Sequence, residues 1–189
     1  MTKKIIGLAA IACSLAFPAL AQSSAPGRSV VYTDTSGKAC KSHIQGGGEI
    51  AEWICKGIGR EVYLIDAITR GGVAFGKNGE HEAGFVPTSD FVGKKIEWRL
   101  QDGRPYATIY RAFVHIENPN ATSSKASTKQ VLVVTKLDGD GACHMAYVDA
   151  SIKNANARAA EIADANFASF ECGADKPLQV GNPAPFIFH

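Results

Sequence analysis

The sequence lacks the short motifs that identify the common enzyme classes. It has no Gly-x-Ser-x-Gly turn, no His-Glu-x-x-His pair, no complete Gly-x-x-x-x-Gly-Lys-Ser/Thr loop and no Gly-x-Gly-x-x-Gly fingerprint. Each pattern holds a nucleophile, a metal ion or a phosphate in the geometry that its chemistry needs. Their absence argues against α/β-hydrolase, zinc-protease, P-loop and dinucleotide-binding functions, and we expect no cofactor.

The first 21 residues have the three zones of a cleavable secretory signal peptide. Lys3 and Lys4 give a positive start, and residues 5–17 are uncharged and apolar. That stretch is shorter than the roughly 20 residues a membrane-spanning helix needs. Small residues precede a cleavage point after Ala21. We do not expect lipidation at Cys13, because the chain after it stays apolar where a lipoprotein has a polar tether.

The expected mature chain has no excess of charge of either sign. Removing the two signal lysines leaves 18 of the 20 basic residues, against 18 acidic ones. A nucleic-acid-binding surface needs a basic stripe or patch, so nucleic acid is not an expected partner. No second apolar run reaches membrane-spanning length. We expect a soluble periplasmic monomer, with an unidentified periplasmic protein or small ligand as its partner.

Export also bears on the cysteines. Four remain after cleavage, an even number that predicts two disulfides with three possible pairings. Proximity along the chain favours Cys40–Cys55 and Cys143–Cys172, each stabilising the fold by about 3 kcal/mol through loop closure. A zinc site using Cys40, His43 and Cys55 is the competing interpretation. It lacks a fourth ligand at a usual spacing, so we expect no metal.

Short β-like runs separated by turn residues fill most of the chain. Residues 96–100 alternate strictly between apolar and polar, as a half-buried strand does. Asp102-Gly103 then predicts a hairpin turn, and residues 104–116 form the longest strand-like run. Residues 76–90 are rich in Gly, Asn, Pro and Ser and are interpreted as a loop.

The alanine-rich segment near the C-terminus predicts one helix over residues 155–170, with Asn154 as its N-cap and Asp164 off its apolar stripe. The stripe consists of Ala159, Ile162, Ala163, Phe167 and Phe170. The predicted class is α+β, a mostly antiparallel meandering sheet with one C-terminal helix packed on it, and closure toward a barrel is left open. The expected organisation is a signal at 1–21, a lead-in at 22–27, one domain at 28–175 and a Pro-rich tail at 176–189.

One polar group on neighbouring strands is a candidate site. Glu97 and Arg99 share a strand face, and Arg111 and His115 share a face of the next strand. Such a group could bind an anion or perform acid–base chemistry. The candidate catalytic residues are Glu97, Arg111 and His115, and the candidate ligand-binding residues are Arg99, Arg111 and Tyr106. The favoured alternative is an ion-pair ladder on the solvent face of the ribbon.

Four aromatic residues are further candidates, for a stacking surface. They are Trp53, Trp98, Tyr106 and Tyr110. Aromatic residues in the strands of a small β domain are more often core residues, and we favour that interpretation. Asp149, on a separate strand, could join the polar group.

Three blocks of sequence carry a resemblance to a family. They are WICKG at 53–57, IEWRL at 96–100, and CHMAYVDA at 143–150 together with the following segment up to Cys172. With these blocks the chain resembles a family of uncharacterised exported proteins of alphaproteobacteria, especially rhizobia-like groups. The resemblance implies a periplasmic setting and brings no known activity, cofactor or catalytic residue.

Three functions follow from these observations. The leading one is a non-enzymatic binding or inhibitor-like module, because a disulfide-stapled β scaffold with polar loops carries no catalytic motif. A small hydrolase-like enzyme using Glu97, Arg111 and His115 is the second. The third is a structural or envelope-interaction protein that holds partners through residues 176–189.

Overall fold

The structure is a computed structural model that describes residues 26–45, 50–67, 70–77, 80–86, 92–116, 127–139 and 141–183. The expected signal peptide lies outside these residues, so cleavage after Ala21 and the absence of lipid at Cys13 stay predictions. Residues 184–189 of the tail also lie outside. None of the described helices is long and apolar enough to cross a membrane.

The described residues form eleven strands and one α-helix. The strands and the helix are β1 (Arg28–Asp34), β2 (Cys40–Gln45), β3 (Ile50–Lys56), β4 (Glu61–Ala67), β5 (Arg70–Lys77), β6 (Glu80–Val86), β7 (Lys95–Gln101), β8 (Arg104–Ile116), β9 (Ser127–Asp138), β10 (Gly141–Asp149), α1 (Ala155–Asn166) and β11 (Leu178–Val180).

The strands make two sheets. The large sheet has the order β1-β7-β8-β9-β10-β11, and the small sheet has the order β2-β3-β4-β5-β6. All pairings are antiparallel except that of β11 with β10. The predicted α+β class, with mostly antiparallel strands and a C-terminal helix, is confirmed. The described strands form no closed barrel.

The central strands of the large sheet, β7 to β10, are covered on both faces, which explains their long apolar runs. One face packs on the small sheet and the other on α1. The alternation of β7 is confirmed, with Ile96, Trp98 and Leu100 buried between the sheets. The predicted stripe of α1 faces the sheet, since Ala159, Ile162, Ala163 and Phe170 are buried and Phe167 is partly buried.

Trp98 anchors the layer between the sheets. Its ring is fully buried, and its Nε1 donates to Thr33 Oγ1 at 2.7 Å. The Phe75 ring meets it edge-on, with 5.7 Å between centroids. A Cβ on Gly57 would lie 2.6 Å from this ring, so only glycine fits at position 57 without displacing Trp98.

The two predicted disulfides are present. Cys40 lies directly opposite Cys55 in the β2–β3 ladder, and a disulfide joins them. Cys143 of β10 is joined to Cys172, beyond the helix. The first bond uses the sulfurs of Cys40 and Cys55, the two thiolates that the competing zinc site would need.

Several boundaries differ from the sequence-based expectations. The segment 76–90 is not one loop, because it contains β6, which pairs with β5 along its length. The helix ends at Asn166 and continues as turns, and the side chain of Asn154 makes no capping bond. The tail contributes β11 to the edge of the large sheet. The predicted 102–103 hairpin turn is confirmed, with φ of 50° at Asp102 and 76° at Gly103.

Candidate functional site

Two of the four predicted polar residues meet beneath α1. Arg99 Nη1 contacts Glu97 Oε1 at 2.7 Å, and Arg99 Nη2 donates to Asp164 Oδ2 at 2.7 Å. Arg99 Nε donates to Asp164 Oδ1, and the Tyr106 hydroxyl donates to the same oxygen at 2.6 Å. The expected solvent-facing ladder is therefore wrong in its position. The ion pairs lie on the face that the helix covers, and they join the helix to the sheet.

This network holds its charges firmly. Burial works against the charge on Arg99, but hydrogen bonds to Asp164 and Glu97 outweigh it and raise the pKa of Arg99. Burial would likewise raise the pKa of Asp164, yet bonds from Arg99 and Tyr106 lower it. Both groups are ionised at neutral pH, and neither is poised for proton transfer. The arrangement suits a structural role.

Arg28 extends the network to the N-terminal strand. Its Nη1 lies 3.5 Å from Asp164 Oδ2, and its Nη2 donates to the main-chain oxygen of Asp164 at 3.2 Å. The guanidinium also lies 5.8 Å from the ring centroid of Tyr106 and 5.6 Å from that of Phe167. These distances fit cation–π contacts. Arg28 therefore ties β1 to the helix C-terminus.

The remaining members of the predicted catalytic group are not joined to this network by any described contact. Arg111 donates to Gln130 Oε1 at 2.8 Å and to Asn156 Oδ1 at 3.4 Å, near the start of the helix. The side chain of His115 lies outside the described residues. A catalytic role for Glu97, Arg111 and His115 thus stays a prediction.

Asp149 has its own partners. Its carboxylate accepts from the Ser151 hydroxyl at 2.6 Å and from Lys129 Nζ at 2.9 Å, and from the Asn182 N–H at 3.3 Å. Burial would raise the pKa of Asp149, but the bonds from Ser151 and Lys129 lower it to about 2. This residue links β10 to the turn after it and to the tail.

A second polar cluster lies between the sheets. His144 Nδ1 is 2.7 Å from the Tyr147 hydroxyl, and His144 Nε2 is 3.3 Å from that of Tyr110. Burial lowers the pKa of His144 to about 4, so the ring is neutral at pH 7. Nearby on the central strands, Thr108 and Thr135 are paired in register and fully buried.

The described residues form a groove of about 570 Å³ between the small sheet and the segments that connect the two sheets. Its described lining is Thr35, Ser36, Gly37, Cys40, Ser42, Trp53, Leu64, Val92 and Lys94. Cys40, Trp53 and Val92 are half-buried and pack against the inter-sheet core. The groove thus has an apolar floor, and an aromatic ring forms part of it.

Polar groups stand along the rim of this groove. Ser36, Ser42 and Lys94 are exposed, and Lys94 is the cationic residue of the described lining. The rim backbone is held in place, because Thr35 Oγ1 donates to the Gly93 oxygen at 2.7 Å and Thr35 N donates to the Lys94 oxygen at 2.9 Å. Hydroxyls and one ammonium therefore surround a fixed apolar cleft.

The structure separates the four aromatic candidates. Trp98, Tyr106 and Tyr110 are buried, which confirms the core interpretation for them. Trp53 differs, since it is partly exposed and lines the groove. Sequence reasoning did not find Val92 and Lys94, because an ordinary turn before a strand has the same composition.

Comparison of this chain with protein-family models, with curated proteins and with solved structures gave no match. The resemblance to exported alphaproteobacterial proteins stays a prediction. Within the described residues, no three His, Cys, Asp or Glu side chains are grouped so that they could hold a metal ion.

Proposed function

We propose that this chain is an exported, non-enzymatic binding module whose ligand occupies the groove beside Trp53. The ligand is a small molecule or side chain with a flat apolar body and an anionic end. The observation that supports this proposal most directly is that Trp53 lies half-buried in a cleft of about 570 Å³, with Lys94 at the rim. Ligand sites in proteins are typically apolar clefts of about 300–1,000 Å³ with a few placed polar groups.

Two further features support binding over catalysis. The cleft is pre-formed, because the Cys40–Cys55 disulfide and the Thr35 hydrogen bonds fix its walls, and a rigid site loses little entropy on binding. The polar cluster around Arg99 is already used within the protein, since all three guanidinium nitrogens of Arg99 bond to Glu97 or Asp164. A periplasmic location fits two disulfides but is itself part of the proposal.

The test is a fluorescence titration with 1-anilinonaphthalene-8-sulfonate, a probe with an aromatic body and an anionic group. The oxidised mature protein is titrated beside Trp53→Ala, Lys94→Gln and a control, Leu178→Ala. Leu178 is an exposed apolar residue on β11, outside the groove lining. We expect Trp53→Ala to weaken binding about tenfold or more. The reason is that stacking of a flat aromatic group, such as a nucleic-acid base, on an aromatic side chain contributes about 1–3 kcal/mol.

Lys94→Gln should weaken binding about two- to fivefold, and the loss should shrink in high salt because the contact is exposed. Leu178→Ala should bind as the parent does. Equal affinity of the parent and Trp53→Ala, with both folded by circular dichroism, would rule out this groove as the site.

A further inference from the structure

Strand β1 is an edge of the large sheet and is exposed on both of its faces. Among the strands that the structure describes, it pairs with β7 alone. Val30 is 42% exposed, Val31 38% and Tyr32 58%. Because side chains alternate along a strand, Val30 and Tyr32 lie on one face and Val31 lies on the other. An edge strand with apolar residues on both faces is unusual, because it invites pairing with another strand.

Within the described residues, β1 lacks several of the usual protections of an edge. Natural edges are shortened, bulged, or given lysine or proline. Residues 28–34 pair with β7 in an unbroken register and contain neither lysine nor proline. The opposite edge is different, since β11 has three residues.

The main-chain groups of β1 that no described strand uses can be assigned from its bonds to β7. Thr35 N donates to the Lys94 oxygen, and Asp102 N donates to the Gly27 oxygen. In an antiparallel pair, bonded and non-bonded residues alternate. The odd-numbered residues of β1 therefore bond to β7. The even-numbered ones, Arg28, Val30, Tyr32 and Asp34, direct their N–H and C=O groups outward.

The sequence RSVVYTD is chemically complementary to itself when read in the opposite direction. An antiparallel second copy centred on Val31 places Arg28 opposite Asp34, Ser29 opposite Thr33, and Val30 opposite Tyr32. Opposite charges and aromatic–β-branched pairs are the favourable cross-strand combinations. The same alignment joins the four outward-facing residues of each copy in about eight main-chain hydrogen bonds.

Other alignments lose these matches. A parallel arrangement brings Arg28 beside Arg28 and Asp34 beside Asp34, which is repulsive. A shift of two residues in either direction leaves the charges opposite neutral side chains. Arg28 and Asp34 also have ion-pair partners in their own chain, Asp164 at 3.5 Å and Lys95 at 2.9 Å, so the pairs between copies would add to these contacts. The outward-facing main-chain groups, the Val30–Tyr32 pairs and the signs of the charges together favour the antiparallel register centred on Val31.

We infer that β1 is a dimerisation edge, at which two copies of this chain pair antiparallel about Val31 and form one continuous sheet across a twofold axis. The pairing closes on itself, so it yields a dimer and not a filament. This inference is independent of the groove, and it differs from the monomer expected from the sequence.

Cysteine cross-linking tests the register. In the inferred dimer the two Val31 Cα atoms are about 4.5 Å apart, as in a non-hydrogen-bonded pair, which is within disulfide range. The two Val30 Cα atoms are diagonal, at about 7–8 Å, beyond that range. We expect Val31→Cys to form a reducible covalent dimer under mild oxidation and Val30→Cys to form little. Faster linking by Val30→Cys overturns the register.

Sedimentation equilibrium tests the edge itself, using the oxidised mature protein. Val30→Pro removes an outward N–H that β7 does not use, so the β1–β7 ladder is kept. Val30→Thr is the control, because it keeps both the N–H and the branched shape. We expect the parent and Val30→Thr to dimerise and Val30→Pro to dissociate at least tenfold more readily. A parent that stays monomeric at about 200 μM, or a dimer unaffected by Val30→Pro, overturns the inference.

Discussion

Asp164→Ala should destabilise the protein far more than a matched change on the same helix. The Asp164 carboxylate accepts two bonds from Arg99 and one from Tyr106, and the Arg99 side chain is only 13% exposed. Removing one partner of a fully buried ion pair costs about 3–5 kcal/mol. Here Arg99 keeps Glu97, and the Asp164 side chain is 25% exposed. We therefore expect a loss of about 2–3 kcal/mol in the free energy of unfolding.

The control is Glu161→Ala. Glu161 pairs with Arg158 at 3.2 Å on the same helix, with side chains 66% and 53% exposed. An exposed pair of this kind contributes about 0–0.5 kcal/mol. Both free energies come from urea denaturation of the oxidised protein at pH 7, followed by tryptophan fluorescence, with unchanged m-values as the check on two-state behaviour.

A double-mutant cycle then isolates the pair. Arg99→Met and Asp164→Ala, singly and together, should show a coupling of at least about 1.5 kcal/mol. Arg158→Met with Glu161→Ala should show less than about 0.5 kcal/mol. If the losses caused by Asp164→Ala and Glu161→Ala agree within 0.5 kcal/mol, the network does not hold the helix on the sheet, and the reasoning fails.

Three further predictions concern the core and the cross-links. Gly57→Ala should lower the free energy of unfolding by about 1–3 kcal/mol in urea denaturation, because its Cβ meets the buried Trp98 ring; an unchanged midpoint would show that the ring can shift. Below pH 6.5 the unfolded chain protonates His144, which the folded protein protonates only near pH 4. Stability should thus fall by about 3 kcal/mol as pH drops through that window. His144→Gln should remove that part of the slope, and an identical slope would contradict the assignment. Replacing Cys143 and Cys172 by Ala opens a loop with a sequence separation of 29 and should cost about 3–4 kcal/mol by calorimetry; a loss below 1 kcal/mol would contradict the loop-closure argument.

Local sequence patterns predicted the parts of the fold whose conformation depends on neighbouring residues in the chain. The alternation of residues 96–100 shows which side of β7 is buried, and the 102–103 turn depends on two residues that accept positive φ. The stripe of α1 likewise follows from helical spacing. In each case the physical cause lies within a few residues of the element.

Other parts depend on distant pairing. Segment 80–86 has no apolar alternation, and it is a strand because β5 lies beside it. The division into two sheets arises because β1 leaves its neighbour in sequence and pairs with β7, as in the contact of Val31 with Trp98. No local sequence pattern indicates which distant strand β1 pairs with.

The candidate site shows the same division. Glu97 and Arg99 were predicted to share a face, and they do, but their partner Asp164 comes from the helix and lies off its apolar stripe. The groove unites Trp53 with Lys94 from a distant turn, and Trp53 looks like a core residue in the sequence.

The break in the large sheet has a consequence for how such a protein could vary. The chain leaves this sheet after Thr35 and returns at Lys94, and Thr35 N donates to the Lys94 oxygen at 2.9 Å. Residues 36–93 therefore behave as a cassette whose two ends lie one hydrogen bond apart. The groove lies at this junction, with Trp53 and Leu64 inside the cassette and Thr35 and Lys94 at its ends. Exchange of the cassette would change the groove and one side of the inter-sheet core, while the helix-covered face of the large sheet stayed the same.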